Sequence, residues 1–521
     1  MKKLLCTLLA LLLVAGACCT ALADVTFPLS DEVITLTAFA TAGPYTKGDF
    51  NDLAMWKVME ELTHIKFEFD AAPSGQGGER LGLLFAANTL PDVIFKTGIS
   101  NNDVVRYAAD GQLQPIGDLL EEHAPNFNAL LVETPEIYKA IVQADGQIYG
   151  FPYIVTASPS NISPKLFYNY KFVEQNGFEP ADTLDDLLEQ MRAFKDSDWN
   201  GNGQADELPL ASQSLGSIIN AFAGTFGIMT RGKSSTYWDV DENGELRFIP
   251  TSEGYKEMLM FLNSIYEEGL LDQQIFTADL AYFQAAAAEN RVLFGFDHNT
   301  TYMTTYSDDF IGLPAPLSKA EGDEKFWAGQ GLSVGGGNTF ITGNCQYPAE
   351  VVSYFDYFYS NEGLNLFFLG IEGETYELDE DGIARYTDFV TANPDGLSME
   401  EALGTYICWS GGNNPSVADD VHFGDNLINE STTTAAKNLA AYGPEVIWPG
   451  SFTYTEEESE ILSDLKLDID RIVSEKKAAF VAGNESFDNW DAYVASIEAA
   501  GLDEFREIVQ AGLDRYNAIG E

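Results

Sequence analysis

A chain of 521 residues, of which 45% are hydrophobic and 12% aromatic, is long enough to form two or three domains with sizeable cores. Its formal net charge of −53, from 81 acidic and 28 basic residues, argues strongly against a nucleic-acid-binding protein, because such proteins need a basic surface. The same balance argues more weakly against an anionic ligand, which would need a local cluster of Arg and Lys. We interpret most of the acidity as a solubilising surface.

The N-terminus has the pattern of an export signal. Lys2-Lys3 precede the apolar run Leu4–Ala17, and Ala21-Leu22-Ala23 form a small-x-small cleavage site. The run is shorter than the roughly 20 residues that a membrane span requires. We therefore predict that residues 1–23 are removed and that the protein is exported. Because Ala15-Gly16-Ala17-Cys18 faintly resembles a lipoprotein cleavage box, lipid attachment at Cys18 is an alternative to ordinary cleavage, which we favour.

The mature chain begins with alternating strand and helix patterns. β-branched and aromatic runs predict strands at Val33–Phe39, Ile65–Phe69 and Pro91–Phe95. Apolar residues at helical spacing predict helices at Asn51–Thr63 and Glu79–Asn88 between them. This alternation predicts a parallel sheet with helical crossovers, and hence an α/β protein.

A run of oxygen-bearing residues, Asp196–Glu207, follows a predicted helix at Leu184–Phe194. Calcium takes six to eight oxygen ligands, and glycines allow a loop to turn around it. The run fits the EF-hand pattern from Asp196, and a second register is equally good chemically. The ligands of the second register are Asp198, Asn200, Asn202, Gln204 (through its carbonyl), Asp206 and Glu207. With no His or Cys nearby, we predict a structural calcium site, the alternative being a solvated polar turn.

Farther along the chain, the pattern predicts a hairpin that turns at Asn243-Gly244 and a buried strand at Val292–Phe296. That strand ends at the polar residues Asp297-His298-Asn299. The Gly-rich stretch 329–337 lacks the ending of a phosphate-binding loop, and we interpret it as a connector. A capping box at Thr455–Glu458 opens a helical C-terminal portion.

No pattern of catalytic residues stands out. Cys345 and Cys408, the cysteines that follow the signal, lie in unrelated contexts, which favours two buried thiols over a disulfide. The four histidines fit neither a zinc motif nor a catalytic triad. A pair of carboxylates of the glycosidase type is not excluded, because acidic residues occur throughout the chain. We expect a protein that is not an enzyme.

Several motifs in order resemble those of the extracellular solute-binding proteins of bacterial ABC importers, in the carbohydrate-associated group that includes alginate-oligosaccharide-binding proteins. The motifs lie at Leu83–Val93, Asp145–Pro152, Asp198–Pro209, Tyr266–Leu270, Gly373–Asp379 and Asp488–Tyr493. The resemblance implies a type II periplasmic-binding-protein fold, with two lobes that close on a ligand like a hinge. It also implies that the second register supplies the calcium ligands.

From this resemblance we expect residues 24–155 and 300–374 in an N-terminal lobe, and 156–299 and 375–521 in a C-terminal lobe. The chain crossings are expected near Pro152–Pro159, Phe296–Thr301 and Glu372–Tyr376. The implied function is capture of a carbohydrate, as a monomer, for delivery to membrane permease subunits. A permease or a lipid anchor would then bring the protein to the membrane. A secreted carbohydrate-active enzyme and a sensory binding module are the alternatives.

Sugars offer apolar faces to aromatic rings and hydroxyl groups to fixed polar partners. Trp327, Trp409 and Tyr149 lie in loop-like stretches, so we predict that they stack on the ligand, although burial in a core is an equally good interpretation of each. Asp297 and Asn299, at the end of a strand, are the predicted polar contacts, with a solvated turn as the alternative.

Overall fold

The computed structural model describes residues 25–157, 161–162, 165–231, 237–241, 243–328, 332–335, 337–380, 382–409, 411–412, 414–424, 430–443 and 452–520. The predicted signal segment and Cys18 lie outside these described residues. Within them, no helix has the length and apolar character needed to cross a membrane.

Strands and helices alternate along most of the described chain. The strands, in chain order, are β1 Ile34–Thr41, β2 Ile65–Ala72, β3 Val93–Phe95, β4 Gly150–Phe151, β5 Tyr153–Val155, β6 Lys165–Asn169, β7 Leu208–Ser212, β8 Trp238–Val240, β9 Leu246–Phe248, β10 Val292–Asp297, β11 Phe310–Gly312, β12 Ser333–Val334, β13 Thr339–Ile341, β14 Tyr376–Leu378, β15 Ala384–Tyr386 and β16 Ser416–Ala418. The α-helices are Ala54–Thr63, Gly77–Ala87, Asn101–Ala109, Leu120–His123, Pro125–Glu133, Pro135–Ile141, Tyr170–Gln175, Leu184–Lys195, Leu215–Phe222, Glu253–Glu267, Leu280–Ala288, Pro348–Asp356, Asn361–Leu364, Asp388–Thr391, Met399–Leu403, Glu430–Ala440, Glu456–Val481, Trp490–Ala499 and Leu502–Ala518.

The first lobe is built on a five-stranded sheet in the order β2-β1-β3-β13-β4. β1 runs parallel to β2 and β3, as predicted, and β13 runs antiparallel to β3 and β4. Alternate residues of β2 are buried and exposed, which is the period of a strand with one covered face. The two faces of this sheet carry separate cores, one around Phe95 and Phe355 and one around Phe39 and Phe340.

The second lobe is built on a four-stranded sheet in the order β11-β6-β10-β7. β10 runs parallel to β7 and antiparallel to β6. Every residue of β10 is buried, because helices cover both faces of this sheet. The predicted hairpin is confirmed: β8 and β9 pair antiparallel, and Gly244 has the positive φ of 81° that its turn requires.

A third, three-stranded sheet in the order β12-β5-β16 joins the two lobes. Each of its strands belongs to a different passage of the chain between the lobes. β12 pairs antiparallel with β5, and β16 pairs parallel with it. The backbone N–H groups of Thr156 and Ala157 both donate to the carbonyl of Ala418. The three connections therefore lie side by side and form one hinge.

The hinge corrects two of the predicted lobe boundaries. Segment 300–312 was expected in the first lobe, but β11 pairs with β6 in the second sheet. Segment 376–418 was expected in the second lobe, but Tyr376, Cys408 and Ala418 lie in a core of the first lobe. The passages that pair in the third sheet lie at β5, β12 and β16, whereas the crossings were predicted near residues 152, 296 and 372. Strand-end patterns at those positions do not distinguish a turn within a lobe from a passage between lobes.

The two cysteines are buried and unpaired, as predicted. Burial raises the pKa of the Cys408 thiol to about 11, so it is protonated at neutral pH. Its backbone N–H lies 3.3 Å from the sulfur of Met55, inside the core of the first lobe. This environment is that of a structural thiol, not a nucleophile.

Candidate functional site

The candidate site lies where parallel strands of the two sheets end. In open α/β sheets, ligands bind beyond the carboxyl ends of the strands, because the loops that follow them converge there. In the first lobe, Gly43 follows β1 and Lys96 follows β3. In the second lobe, Asp297 ends β10 and Gln213 follows β7. The residues described below extend from these positions.

Trp409 is the principal aromatic side chain of the first-lobe wall, and it is partly exposed. Its backbone has a φ of 65°, in the left-handed region that is unusual for a non-glycine residue. Its indole Nε1 donates to Glu400 Oε1 over 3.3 Å. Gly43 and Gly411 pack against the ring so closely that a Cβ at either position would lie within 2.4 Å of a Trp409 side-chain atom. The indole is thus held in one orientation.

Tyr45 and Glu400 complete this wall, and they line one small pocket together with Trp409. Tyr45 is 36% exposed, and the loop that carries it is fixed by a hydrogen bond from Lys47 N to the Gly404 carbonyl. Burial raises the pKa of Glu400, although hydrogen bonds from Trp409 and Tyr45 oppose that shift. The wall therefore combines two aromatic rings with a carboxylate that accepts hydrogen bonds.

Asp297 provides the main polar group of the second-lobe wall, and it is fully buried. Its Oδ1 accepts from Gln213 Nε2 over 3.1 Å and from the His298 backbone N–H over 2.7 Å. Its Oδ2 has no hydrogen-bond partner among the described residues. Burial raises the pKa of Asp297 to about 7, and the charge of Lys165 only partly opposes this shift.

Replacing Asp297 by Asn is expected to change how stability depends on pH. The folded protein holds a proton on this carboxyl up to about pH 7, whereas the unfolded chain loses it near the ordinary Asp value of 3.8. Wild-type stability therefore falls as the pH rises through this window, by up to about 4 kcal/mol for a shift of this size. The Asn variant lacks this loss, so urea unfolding should show its stability relative to wild type increasing between pH 5 and pH 8. A difference that does not change with pH would contradict the assignment.

Tyr302 is the second-lobe residue that lies near the first-lobe wall. It lies in the 3-10 helix Thr300–Asp309, which follows Asp297, and it is partly exposed. Its pKa is raised to about 12, first by burial and then by the charge of Asp297 on its own lobe. Glu400 and Tyr45 of the first lobe add to the shift, so they lie within electrostatic reach of Tyr302. Tyr302 of the second lobe therefore approaches the first-lobe wall formed by Tyr45 and Glu400.

The other predicted ligand contacts lie elsewhere. Trp327 is 5% exposed, belongs to the main core of the second lobe and donates its backbone N–H to the Tyr442 carbonyl. Tyr149 is 8% exposed, lies in a core of the first lobe and donates its hydroxyl to Asp145 Oδ2 over 2.8 Å. Both rings are core residues in this structure, contrary to the predicted stacking. A loop-like sequence indicates irregular backbone and does not indicate exposure.

Asn299 lies beside the cleft, and its side-chain oxygen forms hydrogen bonds within the second lobe. Its Oδ1 accepts from the backbone N–H of Thr301 over 3.0 Å and from Thr432 Oγ1 over 3.1 Å. It thereby caps the 3-10 helix that carries Tyr302 and ties it to helix Glu430–Ala440. Asn299 thus positions the cleft wall through its Oδ1, and its predicted role as a polar ligand contact stays a prediction.

Sequence reasoning missed four residues of the site: Tyr45, Lys96, Glu400 and Tyr302. A signal for three of them was present, because Tyr45 and Lys96 follow predicted parallel strands and Tyr302 follows Asp297 by five residues. Glu400 had no such signal: it lies nine residues before Trp409 on a short helix, and its local pattern does not indicate that its side chain faces the indole.

The predicted calcium loop lies in the second lobe, between helix Leu184–Lys195 and β7. Gly201 and Gly203 have φ values of 72° and 75°, which let the loop turn twice within three residues. The carboxylate of Asp198 accepts from Gly203 N over 3.1 Å. The amide oxygens of Asn200 and Asn202 each accept from the backbone N–H two residues farther along. The alternating side chains therefore turn toward the inside of the loop.

The last two residues of the loop, Asp206 and Glu207, are held by hydrogen bonds from Arg291 and Trp199. Glu207 is 7% exposed, and its Oε1 accepts from Trp199 N over 2.9 Å. Its Oε2 is buried without a hydrogen-bond partner among the described residues, which is unfavourable unless a cation or a water binds there. Arg291 donates to the Asp206 carbonyl over 2.9 Å and lies 3.2 Å from its carboxylate.

These donors fit calcium, which prefers hard oxygen ligands. Over the described ranges, no three carboxylate, imidazole or thiol groups lie close enough together to hold a metal ion on their own. A calcium ion here would therefore also need the amide and backbone oxygens of the loop. The unpartnered oxygen of Glu207 is the observation that favours an ion.

Comparison with known proteins agrees with this architecture. The fructooligosaccharide ABC transporter substrate-binding protein FusA of Streptococcus pneumoniae is 26% identical over 514 residues, which cover 95% of this chain and 93% of FusA. The polygalacturonan/rhamnogalacturonan-binding protein YtcQ of Bacillus subtilis is 22% identical over 457 residues, 85% of each chain.

Solved structures show the same fold. The structure of FusA in complex with kestose superposes with a TM-score of 0.78 and 22% identity, covering 93% of this chain and all of FusA. An EF-hand mutant of FusA in complex with fructo-nystose gives the same TM-score. The alginate-binding protein AlgQ2 without calcium ion superposes with a TM-score of 0.76 and 20% identity, covering 93% of this chain and 99% of AlgQ2.

These likenesses confirm the predicted α/β fold with two lobes, a hinge and a cleft between them. The family model described as "Bacterial extracellular solute-binding protein" matches residues 43–364, more than half of the chain. That segment includes Tyr45, Lys96, Asp297 and Tyr302, and so contributes to both walls of the cleft. With its two lobes, its hinge of parallel connections and this match, the chain belongs to the family of bacterial extracellular solute-binding proteins.

Proposed function

We propose that this protein captures a neutral oligosaccharide between its two lobes and delivers it, chemically unchanged, to an ABC permease. One observation supports this most strongly: Trp409 and Tyr45 line one pocket with Glu400, and Tyr302 of the other lobe lies within electrostatic reach of Tyr45 and Glu400. Aromatic rings stack on the apolar faces of sugars, and carboxylates accept hydrogen bonds from their hydroxyl groups. Its relatives include binding proteins for neutral fructooligosaccharides and for acidic polygalacturonan.

The charges around the cleft favour a neutral sugar over an acidic one. Lys96 and Lys165 are the cations at the ends of the strands, and both are buried, at 4% and 0% exposure. The Nζ of Lys165 donates to the carbonyl of Ile162 over 2.7 Å. Burial lowers the pKa of His298, which leaves its imidazole neutral at pH 7. A uronate group would therefore gain no ion pair from these two buried lysines, whereas an ionised Glu400 would repel it, and like-charge contacts weaken binding.

Closure of the two lobes would add to the binding energy that ring stacking and hydrogen bonds supply. Because the three connections are paired in the sheet β12-β5-β16, they can bend together without separating. A ligand that touches both lobes favours the closed form, and closure excludes water from its hydrogen bonds. The closed form is then the one recognised by the permease.

Calcium, in this proposal, has a structural role. The loop ligands would be Asp198, Asn200, Asn202, the carbonyl of Gln204, Asp206 and Glu207. An ion there would stabilise the connection between helix Leu184–Lys195 and β7, which is remote from Trp409 in the other lobe.

The protein would act outside the cytoplasm as a monomer. Cleavage after Ala23 would release it, whereas processing at Cys18 would tether it by a lipid. In either case the permease is the membrane partner. Neither arrangement changes the chemistry of the cleft.

Titration calorimetry of the mature protein against a panel of oligosaccharides tests the proposal. The panel contains neutral fructans such as kestose, other neutral oligosaccharides, and the acidic oligogalacturonates and alginates. We expect at least one neutral member to bind at micromolar concentration or tighter and to be recovered with unchanged mass, and the acidic members to bind more weakly. Cleavage products would support a carbohydrate-active enzyme instead, and preference for a uronate would contradict the neutral class.

A further inference from the structure

Lys96 is a buried cation that neither the sequence pattern nor the family match assigns to a role. It follows β3 directly, is 4% exposed and has a φ of 53°, the same unusual backbone region as Trp409. Among the described residues, no carboxylate forms a salt bridge with it. A buried charge without an ionic partner requires other compensation.

That compensation comes from one loop, more than 300 residues farther along the chain. The Nζ of Lys96 lies 2.9 Å from the Trp409 carbonyl oxygen, 3.1 Å from that of Gly411 and 2.9 Å from that of Gly412. It also lies 2.6 Å from Asn414 Oδ1. An ammonium group has three donor hydrogens, so these four acceptors share them. The cation thus holds the described residues of the loop 409–414 through three backbone carbonyls and one side-chain oxygen.

The same ammonium group also lies 5.1 Å from the centroid of the Trp409 ring, within the range of a cation–π interaction. Burial lowers its pKa to about 8, so it remains protonated at neutral pH. The neighbouring thiol of Cys408 has a pKa raised to about 11 and carries no charge there. Carbonyl dipoles, the Asn414 amide oxygen and the indole face are therefore its partners.

We propose that Lys96 is the positioning residue for the ligand-stacking ring: it fixes the loop 409–414, and with it Trp409, before any ligand arrives. A ring that is already ordered loses little conformational entropy on binding, and this increases affinity. The claim that Lys96 increases affinity rests on the proposed function, oligosaccharide binding. The ordering of the loop is a property of the free protein.

Hydrogen exchange of the ligand-free mature protein tests the ordering directly. Lys96→Met keeps a stem of similar length and removes the ammonium group. We expect exchange in peptides covering 405–418 to become at least tenfold faster, while peptides covering β1 stay unchanged. The matched control is Lys256→Met. The Lys256 ammonium group lies 5.9 Å from the centroid of the Trp490 ring in the second lobe, so its loss should leave exchange in peptides covering 405–418 unchanged.

Two results would overturn the proposal. One is an unchanged loop in Lys96→Met, and the other is faster exchange throughout the first lobe, which would mean a general structural role. If Lys96→Met does not fold, Asn414→Ala removes the shortest contact of the ammonium group, 2.6 Å long, and should give a smaller acceleration confined to the same peptides. No acceleration in Asn414→Ala would then contradict the proposal.

A double-mutant cycle with kestose connects the loop to binding. Lys96→Met should lower the affinity at least tenfold in the wild-type background and have no further effect in a Trp409→Ala background. Equal effects in both backgrounds would show that Lys96 acts independently of the ring. If kestose does not bind the wild type, the proposed ligand class has failed for this sugar, and hydrogen exchange alone decides the role of Lys96.

Discussion

Replacing Trp409 by Ala is expected to lower the affinity for the neutral oligosaccharide about 30-fold or more. A buried aromatic contact at the centre of an interface commonly contributes 2 kcal/mol or more, and about 1.4 kcal/mol corresponds to tenfold in affinity. Trp409 is the one predicted stacking residue that is partly exposed in the cleft, and Glu400 and two glycines hold its ring in place. Calorimetry with the best ligand of the panel measures the effect.

Trp327→Ala is the matched control for this prediction. Trp327 lies in the core of the second lobe, so its loss should cost stability, typically about 3–5 kcal/mol for a buried Trp. The affinity of the folded fraction should stay close to that of wild type. A larger loss of affinity in Trp327→Ala than in Trp409→Ala would show that the stacking surface has been assigned to the wrong ring.

Removing calcium is expected to have the second large effect. An ion at a hundred times its dissociation constant stabilises the folded state by about 2.7 kcal/mol. For lobes of this size that corresponds to a fall in Tm of roughly 5–10 °C when a chelator is added. Glu207→Gln should lose most of this response, because Glu207 supplies the buried unpartnered oxygen of the loop. Differential scanning calorimetry with millimolar calcium and with chelator compares the two proteins.

A second loop of similar sequence provides the control. Asp241 opens the hairpin turn at Asn243-Gly244, and its Oδ1 accepts from the backbone N–H groups of Asn243 and Glu245. Asp241→Asn should therefore keep the full response to chelator. The ligand preference of the protein should be the same with and without calcium. A wild-type Tm that chelator leaves unchanged would contradict the proposed structural calcium ion.

Local patterns predicted the local structure well. The parallel pairing of the first strands, the hairpin and the helix that opens at the Thr455 capping box are all confirmed. Each depends on residues that are close in sequence, such as alternating burial in β2 or the Thr455–Glu458 hydrogen bonds. The type of protein could be predicted for a different reason, because the ordered motifs resemble a family.

The arrangement of distant segments could not be predicted in the same way. The hinge pairs β5 with strands about 180 and 260 residues away, and nothing in the short strands β12 and β16 indicates their partner. The support of Trp409 likewise depends on Lys96 and Gly43, which lie more than 300 residues away along the chain, as well as on the nearby Glu400. Trp327, Trp409 and Tyr149 occupy similar loop-like contexts, so their different burial is decided by tertiary packing.

The most direct test of the central claim is a crystal structure of the mature protein with the tightest-binding neutral oligosaccharide of the panel. We predict sugar density between the lobes, with one ring on the indole of Trp409 and hydroxyl groups toward Glu400 on one side and toward Tyr302 on the other. Density for an intact sugar bound on a single lobe, away from Trp409, would contradict it.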